Sequence, residues 1–204
     1  MRIVVIGATG TIGGAVADAL EARHDVVRAS RHGAVQVDLG DPSSIDAMFA
    51  ANPNLDAVVC CAANTELAPF ASQSDAQFAD SMASKLFGQV ALVRRAVDHL
   101  RDQGSVTLTS GTFDEPIAGS AAGALVNAGL EGFVRAAALE MPRGLRLNVV
   151  SPGWVAESLA AADMDTAEGT AAADVARAYL ESVEGTAQGR TLSPQAPPPQ
   201  QRSP

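Results

Sequence analysis

The chain has 204 residues, of which 18 % are charged and only 4 % aromatic, and it carries a formal net charge of −9. That length suits one α/β domain whose core is built from Ala, Val, Leu and Ile. The acidic balance, without a basic cluster, speaks against nucleic acid or an anionic membrane surface as partner, and no apolar run approaches the roughly 20 residues of a membrane span.

The chain opens Met1-Arg2-Ile3-Val4-Val5-Ile6-Gly7-Ala8-Thr9-Gly10-Thr11-Ile12-Gly13-Gly14. An apolar run feeding a glycine-rich turn predicts a buried strand over 2–6, a phosphate-binding loop and a helix over 12–22. Glycines let the backbone turn sharply and approach a pyrophosphate, whose charge meets the start of the helix. The start lacks the basic, apolar and cleavage regions of a signal peptide, so a cytoplasmic location is expected. A second strand over 25–29 is followed by Ser30 and Arg31, with no acid there. An acid at that place would bind the ribose hydroxyls of NAD, whereas an arginine fork accommodates a 2′-phosphate, so the expected cofactor is NADP(H). Arg28 is a less well placed cation.

Further along, strands are expected over 34–38, 55–61, 104–110, 145–150 and 189–192, and helices over 42–50, 74–100, 118–141 and 172–183. Asp41-Pro42-Ser43 supplies a helix cap with proline just inside. Ala57-Val58-Val59-Cys60-Cys61 is continuously apolar, as expected for a strand covered on both faces. Its two cysteines point to opposite faces and form neither a disulfide nor a metal site. The alternation predicts a Rossmann-type doubly wound parallel sheet, three-layer α/β/α, with about seven strands and one dinucleotide-binding domain over 1–192. Residues 193–204, rich in Pro and Gln, read as a disordered tail. The stretch from Trp154 to Thr170 reads as a short, loosely held cover over an open pocket. His24, His32 and His99 form no ligand or triad pattern.

Three segments together resemble the short-chain dehydrogenase/reductase superfamily over residues 1–192: Gly7-Ala8-Thr9-Gly10-Thr11-Ile12-Gly13, Val37-Asp38-Leu39, and Val149-Val150-Ser151-Pro152-Gly153. The resemblance implies that Asp38 contacts the adenine amino group and that Pro152-Gly153 backs the nicotinamide. The family's Asn-Asn-Ala-Gly motif falls on Cys60-Cys61-Ala62-Ala63, with Asn64 next, and keeps only Ala62. The expected cofactor-binding set is therefore Gly7, Thr9, Gly10, Thr11, Ile12, Gly13, Ser30, Arg31, Asp38, Ala62, Pro152 and Gly153.

The catalytic pattern departs from the family. Its serine is present as Ser110, at the end of Val106-Thr107-Leu108-Thr109-Ser110. The family's tyrosine and lysine fall on Gly123 and Asn127, and the sole tyrosine, Tyr179, lies on the last expected helix. The family's structural asparagine falls on Lys85, the only lysine in the chain. An ammonium beside a nicotinamide and Ser110 can polarise a carbonyl or exchange a proton, so Ser110 and Lys85 are the expected catalytic residues. Asp114 and Glu115 are further acid or base candidates, and Trp154 is expected to pack on the cofactor or line the substrate pocket.

These features lead to an NADP(H)-dependent oxidoreductase acting on a small carbonyl or alcohol substrate with an altered proton-transfer site. The alternatives are a non-redox enzyme of the same descent, catalysing cyclisation, dehydration or isomerisation, and a nucleotide-sensing binding protein. In the family the two longest helices pair between subunits. The small residues between Gly119 and Gly132 fit that use, so a homodimer or higher homo-oligomer is expected.

Overall fold

Strands β1 (Arg2–Ile6), β2 (Asp25–Ser30), β3 (Val35–Gln36), β4 (Leu55–Cys60), β5 (Leu100–Thr109), β6 (Arg146–Val150) and β7 (Thr191–Leu192) form one parallel sheet in the order β3-β2-β1-β4-β5-β6-β7. The computed structural model describes residues 1–62, 67–113, 115 and 117–194, apart from the Ser81 side chain. Residues 195–204 of the Pro/Gln-rich stretch lie outside the described residues. The chain winds outward from β1 to β3, returns to β4 beside β1, and then winds the other way. This is the expected doubly wound order, with its switch point between β1 and β4.

Helices α1 (Thr11–Glu21), α2 (Pro42–Ala51), α3 (Asp75–Met82), α4 (Gln89–His99), α5 (Ala121–Ala137), α6 (Ala156–Ala161) and α7 (Ala172–Glu184) complete the fold. Period-two alternation divides the core into two layers of contact. Val4, Ile6, Val58 and Cys60 face one way, against Ile45 and Phe49 of α2, Leu92 of α4 and Val126 and Leu130 of α5. Ile3, Val5, Ala57 and Val59 face the other way, against Val16 and Leu20 of α1 and Val175 and Tyr179 of α7. Each large side chain so buried contributes about 1.5–3 kcal/mol, which is why the strands read as unbroken apolar runs. Cys60 lies in the first layer, Cys61 packs against the second, and both are free thiols. Among the described residues, no helix is long and apolar enough to cross a membrane.

The expected helix over 74–100 is instead α3, a π-helical turn at Ala83–Gly88, and α4. A capping box between Ser74 and Gln77 starts it. The turn forms where Gly88 abuts β3's exit, since a Cβ at Gly88 would lie 2.5 Å from the Leu39 carbonyl oxygen. Helix α5 begins later than residue 118 because Gly119 holds φ +87°, and it gives way to a 3₁₀ turn at Ala138–Glu140 before Pro142. Strand β5 starts earlier than expected: Leu55 pairs with Leu100 and Ala57 with Ser105, leaving residues 101–104 as a bulge. β3, on the sheet edge, keeps only two residues.

The stretch from Trp154 to Thr170 corrects an expectation. It contains α6 and is fastened at both ends: Val155 bridges Thr170, the Thr170 N–H donates to the Trp154 carbonyl (2.8 Å), and the Ala156 N–H donates to the Thr170 carbonyl (3.0 Å). The Glu157 carboxylate accepts the Ala172 N–H (2.9 and 3.1 Å) and so caps the start of α7 from outside its own helix. Side chain–backbone bonds of this kind have no local sequence pattern, which is why the alanine-rich segment reads as loose.

Candidate functional site

Beyond the carboxyl ends of β1, β2 and β4 opens a cavity of about 800 Å³. Its walls include Gly7, Thr9, Gly10, Ser30, Arg31, His32, Asp38, Cys61 and Ala62. Gly7 holds φ +83°, and a Cβ there would come within 2.7 Å of the Ala62 backbone nitrogen. At Gly13 a Cβ would lie 2.1 Å from the Gly7 carbonyl oxygen, so this glycine lets α1 close onto the loop. Gly10 is the N-cap residue of α1, and among the described residues no side chain caps the helix. Uncapped N–H groups and the positive end of the helix dipole make this corner of the cavity receptive to an anion.

The end of β2 offers both kinds of donor expected there. The Ser30 hydroxyl is buried and has no hydrogen-bond partner among the described residues. Arg31 is exposed and makes no ion pair among the described residues. Arg28 is committed elsewhere, with its Nε 2.7 Å from Glu21 and its other end on Asp18, and those bonds raise its pKa. The Asp38 Oδ1 accepts the Gly40 N–H (2.9 Å), which ties the carboxylate to the loop after β3 at the cavity wall. His32, dismissed on sequence, borders the same space. Of the remaining expected contacts, Thr11 is exposed as the first residue of α1, Gly13 packs behind the loop, and Ile12 faces a second cavity. Ala63 and Asn64 lie outside the described residues.

The second cavity, about 300 Å³, abuts the first at Cys61, which lines both. It collects Lys85, Ser110, Gly123, Asn127, Pro152, Gly153 and Trp154 from four separate stretches of chain. Trp154 meets Phe113 edge-on at 5.9 Å, giving the cavity an aromatic side. Lys85, in the π-helical turn, is 6 % exposed and makes no ion pair among the described residues. Burial pushes its ammonium down to about 8, against a smaller opposing pull from Cys60. Gln89 holds the turn to the sheet. Its Nε2 donates to the carbonyls of Lys85 and Thr109 (2.9 Å each), and its Oε1 accepts the Thr109 N–H (2.9 Å). The position of Lys85 relative to the end of β5 is therefore fixed by a buried amide.

Ser110 is 2 % exposed, and its hydroxyl donates to Glu131 Oε1 at 2.9 Å. Ser151, just past β6, donates to the same oxygen at 3.0 Å. Asn127 is buried, and its Oδ1 has no partner among the described residues. Gln89 and Glu131 were not singled out from sequence; the signal for Glu131 was its i+4 spacing from Asn127 and i+8 from Gly123 along α5, one face of a helix. Tyr179 is absent from the lining: it is wholly buried, bonded to the Thr109 hydroxyl (2.6 Å), and burial raises its pKa. Glu115 is exposed and outside the cavity lining, and Asp114 lies outside the described residues. His24 pairs with Glu184 (3.0 Å) and His99 stacks on Phe49 (4.8 Å). Among the described residues no cluster of His, Cys, Asp and Glu could hold a metal ion.

Residues 7–188 match the family model described as enoyl-(acyl carrier protein) reductase. Among solved structures, the chain is similar to the protein lin1944 from Listeria innocua, with 37 % identity, 95 % of this chain and 98 % of that one covered, and a TM-score of 0.90. It also shares its fold with a small-chain dehydrogenase in complex with NADPH (24 % identity, 95 % of each chain, TM-score 0.83). A short-chain dehydrogenase from Burkholderia cenocepacia J2315 in complex with NADP has the same fold (24 % identity, 96 % of each chain, TM-score 0.81). None of the curated proteins matches this chain.

Proposed function

This chain belongs to the short-chain dehydrogenase/reductase superfamily, and from that premise we propose that it is an NADP(H)-dependent oxidoreductase of a small alcohol or carbonyl substrate. One observation carries the reading: the glycine-walled cavity ending in Ser30 and Arg31 abuts a second cavity containing Ser110 and Lys85. The complexes of similar folds with NADPH and NADP support it.

In this reading Gly7, Thr9, Gly10 and Thr11 border the pyrophosphate and Ile12 the nicotinamide end, with Gly13 giving the loop its closeness to α1. Ser30 and Arg31 take the 2′-phosphate, the unpartnered Ser30 hydroxyl donating and the guanidinium supplying charge. Asp38 meets the adenine, while Ala62, Pro152 and Gly153 border the nicotinamide end. The bound nucleotide supplies hydride chemistry at its nicotinamide. The protein holds the substrate oxygen between Ser110 and Lys85, where the ammonium stabilises negative charge developing on that oxygen. Phe113 and Trp154 shape the cavity for the substrate's apolar part. The reading also includes a homodimer formed through the α3–α4 stretch and α5, consistent with Phe87 of the π-helical turn and Leu125 of α5 standing 61 % and 49 % exposed. Light scattering tests it, and a monomer at high micromolar concentration contradicts it.

Gly123 and Asn127, where the family pattern has tyrosine and lysine, favour a second reading as a non-redox enzyme or a nucleotide sensor. The test is a screen of alcohols with NADP⁺ and of aldehydes and ketones with NADPH, repeated with Ser110→Ala and Lys85→Met. Turnover lost in both variants with nucleotide affinity retained supports the oxidoreductase. Nucleotide binding without turnover in the parent supports the second reading.

A further inference from the structure

We propose that Ser110 accepts the proton of a substrate hydroxyl while passing its own to Glu131, so that the Ser110–Glu131 pair is a proton relay suited to alcohol oxidation. This rests on the oxidoreductase reading above.

The argument begins with proton counting. A serine hydroxyl has one proton to donate and lone pairs to accept. The Ser110 proton is directed to Glu131 Oε1 at 2.9 Å, and the alternative acceptor among the described residues, the Val150 carbonyl, is at 3.5 Å. Ser151 spends its proton on the same carboxylate oxygen at 3.0 Å. Two hydroxyl donors on one oxygen are the arrangement that suits an ionised carboxylate, and charge-assisted bonds of this kind are the strong ones. While Glu131 is ionised, Ser110 has no proton for a substrate carbonyl oxygen. Its lone pairs can accept one from an alcohol.

The placement fits a relay with an exit. Ser110 lines the 300 Å³ cavity, whereas Glu131 is not among its lining residues and stands behind the serine on α5, half-buried. A proton arriving on Glu131 therefore has access to solvent without crossing the substrate's position. The Ser110 N–H donates to the Val150 carbonyl at 2.9 Å, holding the serine between cavity and carboxylate.

The step balances. The substrate O–H bond breaks as its proton joins Ser110 Oγ, and the Ser110 O–H bond breaks as that proton joins Glu131 Oε1. The substrate C–H bond breaks with its electron pair carried as hydride to NADP⁺, the oxidant, and the C–O bond becomes C=O. Glu131 acts through Ser110 and is a positioning residue. Lys85, in the same cavity lining, favours negative charge on the oxygen losing its proton.

The test uses Glu131→Gln, whose amide oxygen can still accept from both serines but whose side chain cannot take up a proton. The probes are NADP⁺ with a panel of benzylic, aliphatic and sugar alcohols, read by NADPH fluorescence. Expected is a loss of about 100-fold or more in turnover, with NADP⁺ affinity and melting temperature unchanged, and with formate restoring activity to Glu131→Ala but not to Ser110→Ala. A Gln variant within about threefold of the parent overturns the relay and leaves the oxidoreductase reading intact. Loss of nucleotide affinity or melting temperature along with activity, or a Glu131→Ala protein that formate leaves silent, makes Glu131 structural and also overturns it. NADP⁺ binding without oxidation of any alcohol overturns the relay's direction. Absence of NADP⁺ binding overturns the reading beneath it.

Discussion

The two abutting cavities are built from different materials. The larger is shaped at its glycine loop by backbone: Gly7 and Gly10 have no side chains to exchange, and Gly13 behind them lets α1 close onto the loop. The smaller is shaped by side chains, Lys85, Ser110, Asn127 and Trp154 among them. The difference teaches how unequally the two cavities respond to substitution. A backbone site tolerates almost no substitution, and a side-chain site can be rebuilt one residue at a time.

The comparison breaks if a glycine proves dispensable. Gly13→Val places a Cβ about where the Gly7 carbonyl oxygen already lies. It should cost more than about 4 kcal/mol, seen as failed folding or complete loss of nucleotide binding, and a stable, binding variant would contradict the account. On the side-chain half, Ser110→Ala or Lys85→Met should lower turnover by about 10²- to 10⁴-fold while leaving the nucleotide dissociation constant within about twofold.

Lys85→Met should at the same time stabilise the fold at neutral pH. Burial lowers the Lys85 pKa from 10.5 to about 8, so the unfolded chain binds the proton more tightly than the folded one. Stability therefore rises with pH between about 8 and 10.5, and below that window the full penalty is present, up to about 3 kcal/mol. The melting temperature of the Met variant should exceed the parent's at pH 7, and the gap should close as pH approaches 10. A gap independent of pH would contradict a buried charge. A smaller effect is expected at the cover: Glu157→Gln weakens the bond to the Ala172 N–H and should cost about 0.5–1 kcal/mol in chemical denaturation, with nucleotide affinity unchanged.

Much of the fold was legible because buried parallel strands advertise themselves. Ile3-Val4-Val5-Ile6 and Ala57-Val58-Val59-Cys60 need apolar residues on both faces, and their shortness and β-branched content mark them as strands rather than buried helix. The π-helical turn was not legible, because it arises from Gly88 meeting Leu39 and from the Gln89 amide reaching Thr109, contacts distant in sequence. For the same reason α6 and its fastening to Thr170 were missed. At the site, Ser30, Arg31, Ser110 and Lys85 could be named from sequence, because their places follow from strand ends and family spacing. Glu131 could not, since its meaning depends on two serines from different strand ends converging on one oxygen.

The central claim, that the glycine-walled cavity ending in Ser30 and Arg31 is an NADP(H) site, is tested most directly by fluorescence titration of the protein with NADPH and NADH, alongside Arg31→Asp. The account predicts NADPH binding much tighter than NADH in the parent, with the variant weakened about 10- to 100-fold for NADPH and little for NADH. Equal loss for both nucleotides would contradict the role given to Arg31, and no binding of either by the parent would contradict the claim itself.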